Sequence, residues 1–514
     1  MTSTNKPSQS PKYCPVPGVP AEKIRHEMKL TRLIGAATVV AYFNIAYCVA
    51  LIGPTLLDLI QLTGVSWERM GVLLMGRAGC TVVGNIVAGL LANSSLFSLL
   101  LVQALAHVVV LVSQVLIPLC KNQTSVLLVF VVQGVFLGAN NNLSNLLTLV
   151  VQGQSAHAWM QGLFMAYSGA VLLAPIVATP FVSEEAARKQ SLLSCNITNV
   201  TSHASAMTSR YQSSILLADE IDLRIPYWTS VVPCGIAVCL FVVAAVWTRV
   251  SDFKTPEMVD RGPGREIKPV VIVLSFFLAL LYFTLDGVTG RFIFSFAVKS
   301  KLCMSVKTAG VVTILYGGAT CIMRGLCAAG AALRPALVRP TRLLTANHVA
   351  LSIALIAILI GRDSIVPAMW IFTFFSGIGV SNGFPSLMAL IKSQGASKKI
   401  VSILPIGGGI GITVGPLLTT YLMNDNIAGP GPGFYSLFCV VTHLATLLFG
   451  TLMTTIDSHV TERPARRHNN VSISYGKDQG IIVNNDCNIS EKGVDSCCSE
   501  TETGGERRRD MEDQ

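Results

Sequence analysis

Residues 95–119 read SLFSLLLVQALAHVVVLVSQVLIPL, a run of 25 positions without Asp, Glu, Lys or Arg. At a rise of 1.5 Å per residue, a helix of that length crosses the roughly 30 Å hydrocarbon core of a bilayer. Lipid offers no water to backbone N–H and C=O groups, so a segment this apolar has to satisfy them internally as a helix. Working outward, the same reading recurs on both sides. Polar, Pro and Gly punctuation separates twelve spans at about 33–59, 70–92, 95–119, 125–150, 157–180, 228–249, 268–298, 308–331, 343–361, 366–391, 399–423 and 434–456. The weak alternating pattern of a membrane barrel is absent. The expected fold class is therefore an all-α membrane protein with twelve transmembrane helices.

Composition agrees. The 514 residues (54.9 kDa) are 51% hydrophobic and 13% charged, with a mean hydropathy of +0.58. Soluble domains carry about 25% charged residues, which excludes an ordinary soluble enzyme. A net charge of +10 could suggest nucleic acid, but the basic residues sit in short loops and tails between spans, so no nucleic-acid partner is expected. The fourteen cysteines are scattered, without CxxC or Cys/His spacing, so no metal or cofactor is expected. The polar first thirty residues carry no cleavable signal, and span 1 serves as the targeting segment.

Lys and Arg set the expected orientation. With both termini inside, the inner segments hold 25 of them and the outer loops ten, which places the termini in the cytosol by the positive-inside rule. The plasma membrane is the expected location. The long outer loop 181–226 carries the sequons at Asn196 and Asn199, one or other of which is expected to be glycosylated. A disulfide among Cys120, Cys195 and Cys303 fits their shared outer side. An offset of 241 residues relates Asn141 to Asn382, Pro175 to Pro416 and Gly89 to Gly330. It divides the chain into a cytosolic tail 1–32, a six-helix half 33–249, a cytosolic linker 250–267, a second half 268–456 and a disordered cytosolic tail 457–514.

At specific positions the chain resembles the major facilitator superfamily, and within it the sodium-dependent glucose transporter-like group related to fucose/galactose/glucose cation symporters. The matching pieces are GPTLLDL at 53–59, Arg77-Ala-Gly79, WMQGL at 159–163, Ala174-Pro175 with Thr179-Pro180, DGVTGRFIFSFAV at 286–298 and Arg324-Gly-Leu. The chain departs from the group at Asn93, Phe164, Asp286 and Phe292, where Asp, His, Glu and Trp are usual. The resemblance implies a major facilitator fold of two six-helix pseudo-repeat bundles. It also implies a secondary active transporter working by alternating access on a hexose or similar small polar solute, with Na⁺ or H⁺ as the coupling ion and no enzymatic activity. Two alternatives stand beside it. One is an organic anion or carboxylate transporter, because the span interiors are nominally positive. The other is a non-transporting receptor or scaffold, because the loop motif after span 2 is degenerate.

Ionised groups inside spans are costly and mark function. Here they are Arg77, Arg291 and Arg324 against one deep carboxylate, Asp286. Asp286 is either the cation-coupling group or the structural partner of an arginine such as Arg324, with Gly287 and Gly290 letting span 7 open around it. Arg77 suits a structural or gating role, and Arg291 snorkels toward the outer interface. The amides of Asn44, Gln133, Asn140, Asn141, Gln161 and Asn382 suit sugar hydroxyls or act as glue between helices. Trp370 stacks on a sugar or anchors its helix. The glycines of 407–411 lack a nucleotide loop's context and indicate close helix packing.

Overall fold

The computed structural model describes residues 21–65, 67–181, 223–251, 268–299, 302, 304, 306–334, 338–361, 365–422 and 433–461. Among these, twelve helical stretches are long and apolar enough to cross a membrane. Spans 1 to 6 are Arg25–Leu56, Arg69–Asn93, Leu96–Leu119, Gln123–Val151, Ala156–Ala178 and Arg224–Val250. Spans 7 to 12 are Pro269–Phe294, Thr308–Leu333, Pro340–Gly361, Val366–Ser393, Lys398–Thr419 and Tyr435–Met453. All twelve fall on the expected segments, so the chain is a multi-pass membrane protein. The outer-loop sequons at Asn196 and Asn199, Cys195, Cys303, most of the linker and the tail beyond 461 lie outside the described residues. Cys120 is a free buried thiol whose Sγ donates to Leu116 O at 3.3 Å.

Span 3 shows how such a sequence orders itself. Leu101, Leu105, Val108, Val112 and Leu116 recur at helical spacing and are all exposed, forming a lipid-facing stripe. Gln103, His107 and Gln114 turn inward and are buried. Gln103 Nε2 donates to Ser144 Oγ at 2.7 Å, and Gln133 Nε2 donates to Gln114 Oε1 at 2.9 Å. Bonds of this kind contribute about 0.6 kcal/mol each in a membrane bundle, so they set register more than stability. Ser95 starts the helix by accepting from Ser98 N, and Asn122 starts the next by accepting from Ser125 N.

The packing repeats. Spans 1–5, 1–6, 2–4, 3–4 and 3–6 pack together in the first half, and spans 7–11, 7–12, 8–10, 9–10 and 9–12 do so in the second. Each pair recurs six spans later, so the architecture is two equivalent six-helix bundles. The bundles meet along spans 5 and 8 and along spans 2 and 11. Glycine permits the closest approaches: a Cβ on Gly138 would collide with Thr81 O, and one on Gly411 with Leu280 O. The second contact accounts for the glycine-rich stretch of span 11 as a packing surface.

Span 7 is one unbroken helix, Pro269–Lys299, and does not open at Gly287 or Gly290. Those glycines make room instead, Gly290 for the ring of Tyr316 and Gly287 for Ile412 and Pro416. Spans 1 and 6 are interrupted, at Leu51 and at Thr229-Ser230, and so is span 10. Helix Val366–Ser381 ends at Asn382 (φ −111°, ψ 3°), and helix Gly383–Ser393 follows.

Candidate functional site

A cavity lies at mid-depth on the seam between the two bundles, lined from both. The face where span 1 begins is termed proximal, and the opposite face distal. Four aromatic rings cross the seam in sequence. Tyr42 of span 1 meets Phe164 of span 5 with centroids 5.2 Å apart; Phe164 meets Phe384 of span 10 at 5.6 Å; Phe384 meets Phe283 of span 7 at 4.9 Å. Proximal to these rings the halves are bonded together. Asn142 Nδ2 reaches Ser402 O at 3.1 Å, and Lys392 Nζ reaches Gly153 O at 2.7 Å.

Helical spacing puts Tyr282 and Asp286, four residues apart on span 7, on the cavity wall. Asp286 Oδ1 accepts from Tyr316 Oη of span 8 at 2.6 Å. The Asp286 side chain is half-buried, so the carboxylate keeps access to the cavity. Facing it across the seam, Asn141 belongs to a polar chain in the first bundle. Tyr42 Oη donates to Asn141 Oδ1 at 2.7 Å and accepts from Asn145 Nδ2 at 2.6 Å, while Asn141 Nδ2 donates to Asn85 Oδ1 at 3.2 Å.

Arg324 also lines the cavity, but its hydrogen bonds go elsewhere. Its Nε donates to Ser381 O at 2.8 Å, and its Nη1 to Ser168 Oγ and to Phe164 O. Ser381 ends the first helix of span 10, so its carbonyl lacks a partner in the helix ladder and carries the negative end of the helix dipole. The guanidinium is thus a helix cap and a bridge between the halves, with the Phe164 ring 5.4 Å beneath it. Arg77 is buried over the Phe130 ring at 5.6 Å. Arg291 is exposed, yet within electrostatic reach of Tyr167 in the opposite bundle, so it faces the gap between bundles.

Of the residues singled out in the sequence, Asn141, Asp286 and Arg324 meet at this cavity. Gln133 is bonded to Gln114, and Asn44 accepts from Cys48 Sγ at 3.6 Å. Trp370 packs with an apolar cluster around Phe296 and Tyr435. Gln161 is fully buried one turn before Phe164, and neither of its amide atoms has a hydrogen-bond partner among the described residues. Asn382 Nδ2 donates to Ser381 Oγ at 2.9 Å, leaving its Oδ1 without one. The aromatic lining was not anticipated. One signal could have found part of it: Tyr42 and Phe283 stand 241 residues apart, the repeat offset.

No family model matches the chain. Major facilitator superfamily domain-containing protein 4A of Xenopus tropicalis is 23% identical over 479 residues, covering 81% of this chain and 91% of that protein. Sodium-dependent glucose transporter 1A of Mus musculus is 24% identical over 377 residues, covering 72% and 85%. Among solved structures, the E. coli fucose:proton symporter FucP aligns with a TM-score of 0.54 at 16% identity, over 82% of this chain and 98% of that one. The human organic anion transporter MFSD10 aligns at 0.58 and 13%, over 82% and 99%. The fold is that of the major facilitator superfamily, and the resemblance to the sodium-dependent glucose transporter-like group holds along most of the chain.

Proposed function

We propose that this chain is a secondary active transporter that moves a small polar solute of the hexose class by alternating access, driven by Na⁺ or H⁺ through Asp286. The observation that carries the reading is the seam cavity. It joins a carboxylate with one hydrogen-bonded oxygen, an amide in a polar chain and flat aromatic rings, and contacts between the two bundles lie on its proximal side. Aromatic faces suit the C–H faces of a sugar ring, and amides and phenols suit its hydroxyls. A lone ionised carboxylate in a low-dielectric interior favours a neutralising cation, and the two access states can bind that cation unequally.

The names of two of the proteins it resembles, a sodium-dependent glucose transporter and a fucose:proton symporter, point the same way. MFSD10, an organic anion transporter, shares the fold, so the lining residues, not the fold, select the solute. In this reading both termini lie in the cytosol and the distal face outside the cell, as the distribution of Lys and Arg indicates. The test is uptake of labelled hexoses by reconstituted full-length protein, under an imposed Na⁺ or proton gradient and without one. Accumulation above equilibrium that collapses with the gradient supports the reading. Uptake that only equilibrates, with no ion dependence, overturns the coupling.

A further inference from the structure

Four ionisable side chains surround Tyr167 of span 5, which lines the seam cavity. Asp286, Arg291, Arg324 and Arg77 all lie within electrostatic reach of its phenol. Two of them already have partners, since Asp286 accepts from Tyr316 and Arg324 caps Ser381 O and binds Ser168. Arg77 is different. It is 6% exposed, and its Nε and Nη2 have no hydrogen-bond partner among the described residues. The groups acting on it are the neutral Cys48, Tyr227 and Tyr167 and a second cation, Arg291. Asp58, the buried carboxylate near Tyr227, has contacts of its own. A ring at 5.6 Å does not offset the desolvation of a buried guanidinium.

Arg77 and Arg291 come from opposite bundles at similar depth. Arg77 lies ten residues and Arg291 eight residues from the distal end of its helix, about 15 Å and about 12 Å at the helical rise. Arg291 is exposed toward the gap between them. We infer that Arg77 and Arg291 form an anion site between the bundles on the distal side of the seam cavity, and that the transported solute is a polyhydroxy carboxylate of the uronate or aldonate class. The inference rests on the transport reading above. Planar guanidinium forks match a carboxylate in bidentate geometry better than they match a spherical ion. Charge also orients such a solute. Its carboxylate is drawn to the two arginines and repelled by Asp286 deeper in the cavity, which leaves its hydroxyl end for Asn141, Tyr42 and the aromatic rings.

Binding to the purified full-length protein in chloride-free buffer tests this, with D-glucuronate, D-glucose and sodium chloride as separate probes. Glucuronate should bind about tenfold or more tightly than glucose. That preference should fall below about twofold in Arg291→Gln, and Arg77→Lys, which keeps the charge and loses the fork, should reduce it partway. Arg291 is exposed, so its variant carries the test even if changes at Arg77 impair folding. Equal binding of glucose and glucuronate, unaltered in Arg291→Gln, overturns the anion site while hexose transport stands. Chloride displacing glucuronate and binding as tightly means that the site takes a free anion, which overturns the solute assignment. If neither sugar binds and neither is taken up by proteoliposomes, the transport reading itself fails.

Discussion

Tyr316 and Asp286 join span 8 to span 7 at the cavity wall through a 2.6 Å hydrogen bond from the phenol to Oδ1. Gly290, one turn above Asp286, leaves room for the ring that makes the bond, because a Cβ there would stand 3.3 Å from the Tyr316 ring, a tight contact. The carboxylate thus keeps one oxygen engaged and one available. Asp286→Asn preserves shape and removes charge. The variant should lose accumulation of solute and all dependence on the driving ion while retaining exchange of solute down its gradient. Gradient-driven uptake and counterflow in proteoliposomes separate the two. Wild-type accumulation in the variant would make Asp286 structural.

Tyr316→Phe removes a donor that competes with the cation for the carboxylate. A hydrogen bond to an ionised acceptor is worth about 1.5–3 kcal/mol. The apparent affinity for the coupling cation should therefore rise by about tenfold, and turnover should slow as cation release becomes limiting. Initial rates across a range of Na⁺ and proton concentrations check this. A weaker cation response would instead make the phenol a ligand of the cation.

At the contact of spans 7 and 11, Gly411 faces Leu280 O so closely that a Cβ would collide with backbone. Backbone yields little, so Gly411→Val should cost at least the 1–3 kcal/mol of an overpacked core. It should lower the thermal unfolding midpoint of the detergent-purified protein or abolish monodisperse expression. Gly76→Ala is the control, since nothing lies within 4 Å of its Cβ position and Ala favours a helix by about 1 kcal/mol. If the two variants melt alike, backbone contact does not hold spans 7 and 11 together.

The spans were legible because lipid imposes a length and a composition that few other environments do. Asp286 was legible because a deep carboxylate is rare, and Asn141 because it repeats at Asn382. Tyr42, Phe164 and Phe384 were not. An aromatic facing the cavity and one facing lipid look alike in a span that is apolar all round. The helix break was expected at Gly287 and Gly290 but falls at Asn382-Gly383, because tertiary neighbours decide whether a glycine opens a helix or admits a ring. Likewise Gln133 pairs with Gln114, where the sequence allowed a sugar ligand equally well.

Orientation can be tested on Asn196 and Asn199. If the distal face is extracellular, the 181–226 loop passes through the secretory lumen and one or both sequons carry glycan. N-glycosidase treatment of membranes from a eukaryotic host should increase gel mobility of the intact chain and leave Asn196→Gln/Asn199→Gln unchanged. A shift that persists in the double variant would assign the glycan to another site.

Lys392 gives the last prediction. It stands at the proximal end of span 10, and its Nζ donates to Leu149 O and Gly153 O of the opposite bundle at 2.5 and 2.7 Å. Leu149 belongs to the last turn of helix Gln123–Val151, whose carbonyls have no N–H ahead of them. Gly153 turns the chain with φ +52°, setting its carbonyl beside the same ammonium. A cation at a helix C-terminus contributes about 0.3–1 kcal/mol when exposed and up to about 2 kcal/mol when partly buried. Lys392 spends that interaction across the seam, so it stabilises only the state in which the proximal face is closed. Lys392→Gln should therefore shift the population toward the proximal-open state by roughly two- to thirtyfold, the same energies expressed as a ratio. Spin labels at Val250 and Leu333 read it, because both positions are exposed at the proximal ends of spans 6 and 8, in opposite bundles. The longer-distance component should grow in Lys392→Gln and return toward wild type in Lys392→Arg, which restores a cation. An unchanged distance distribution would show that the aromatic and apolar seam closes the proximal face without help from Lys392.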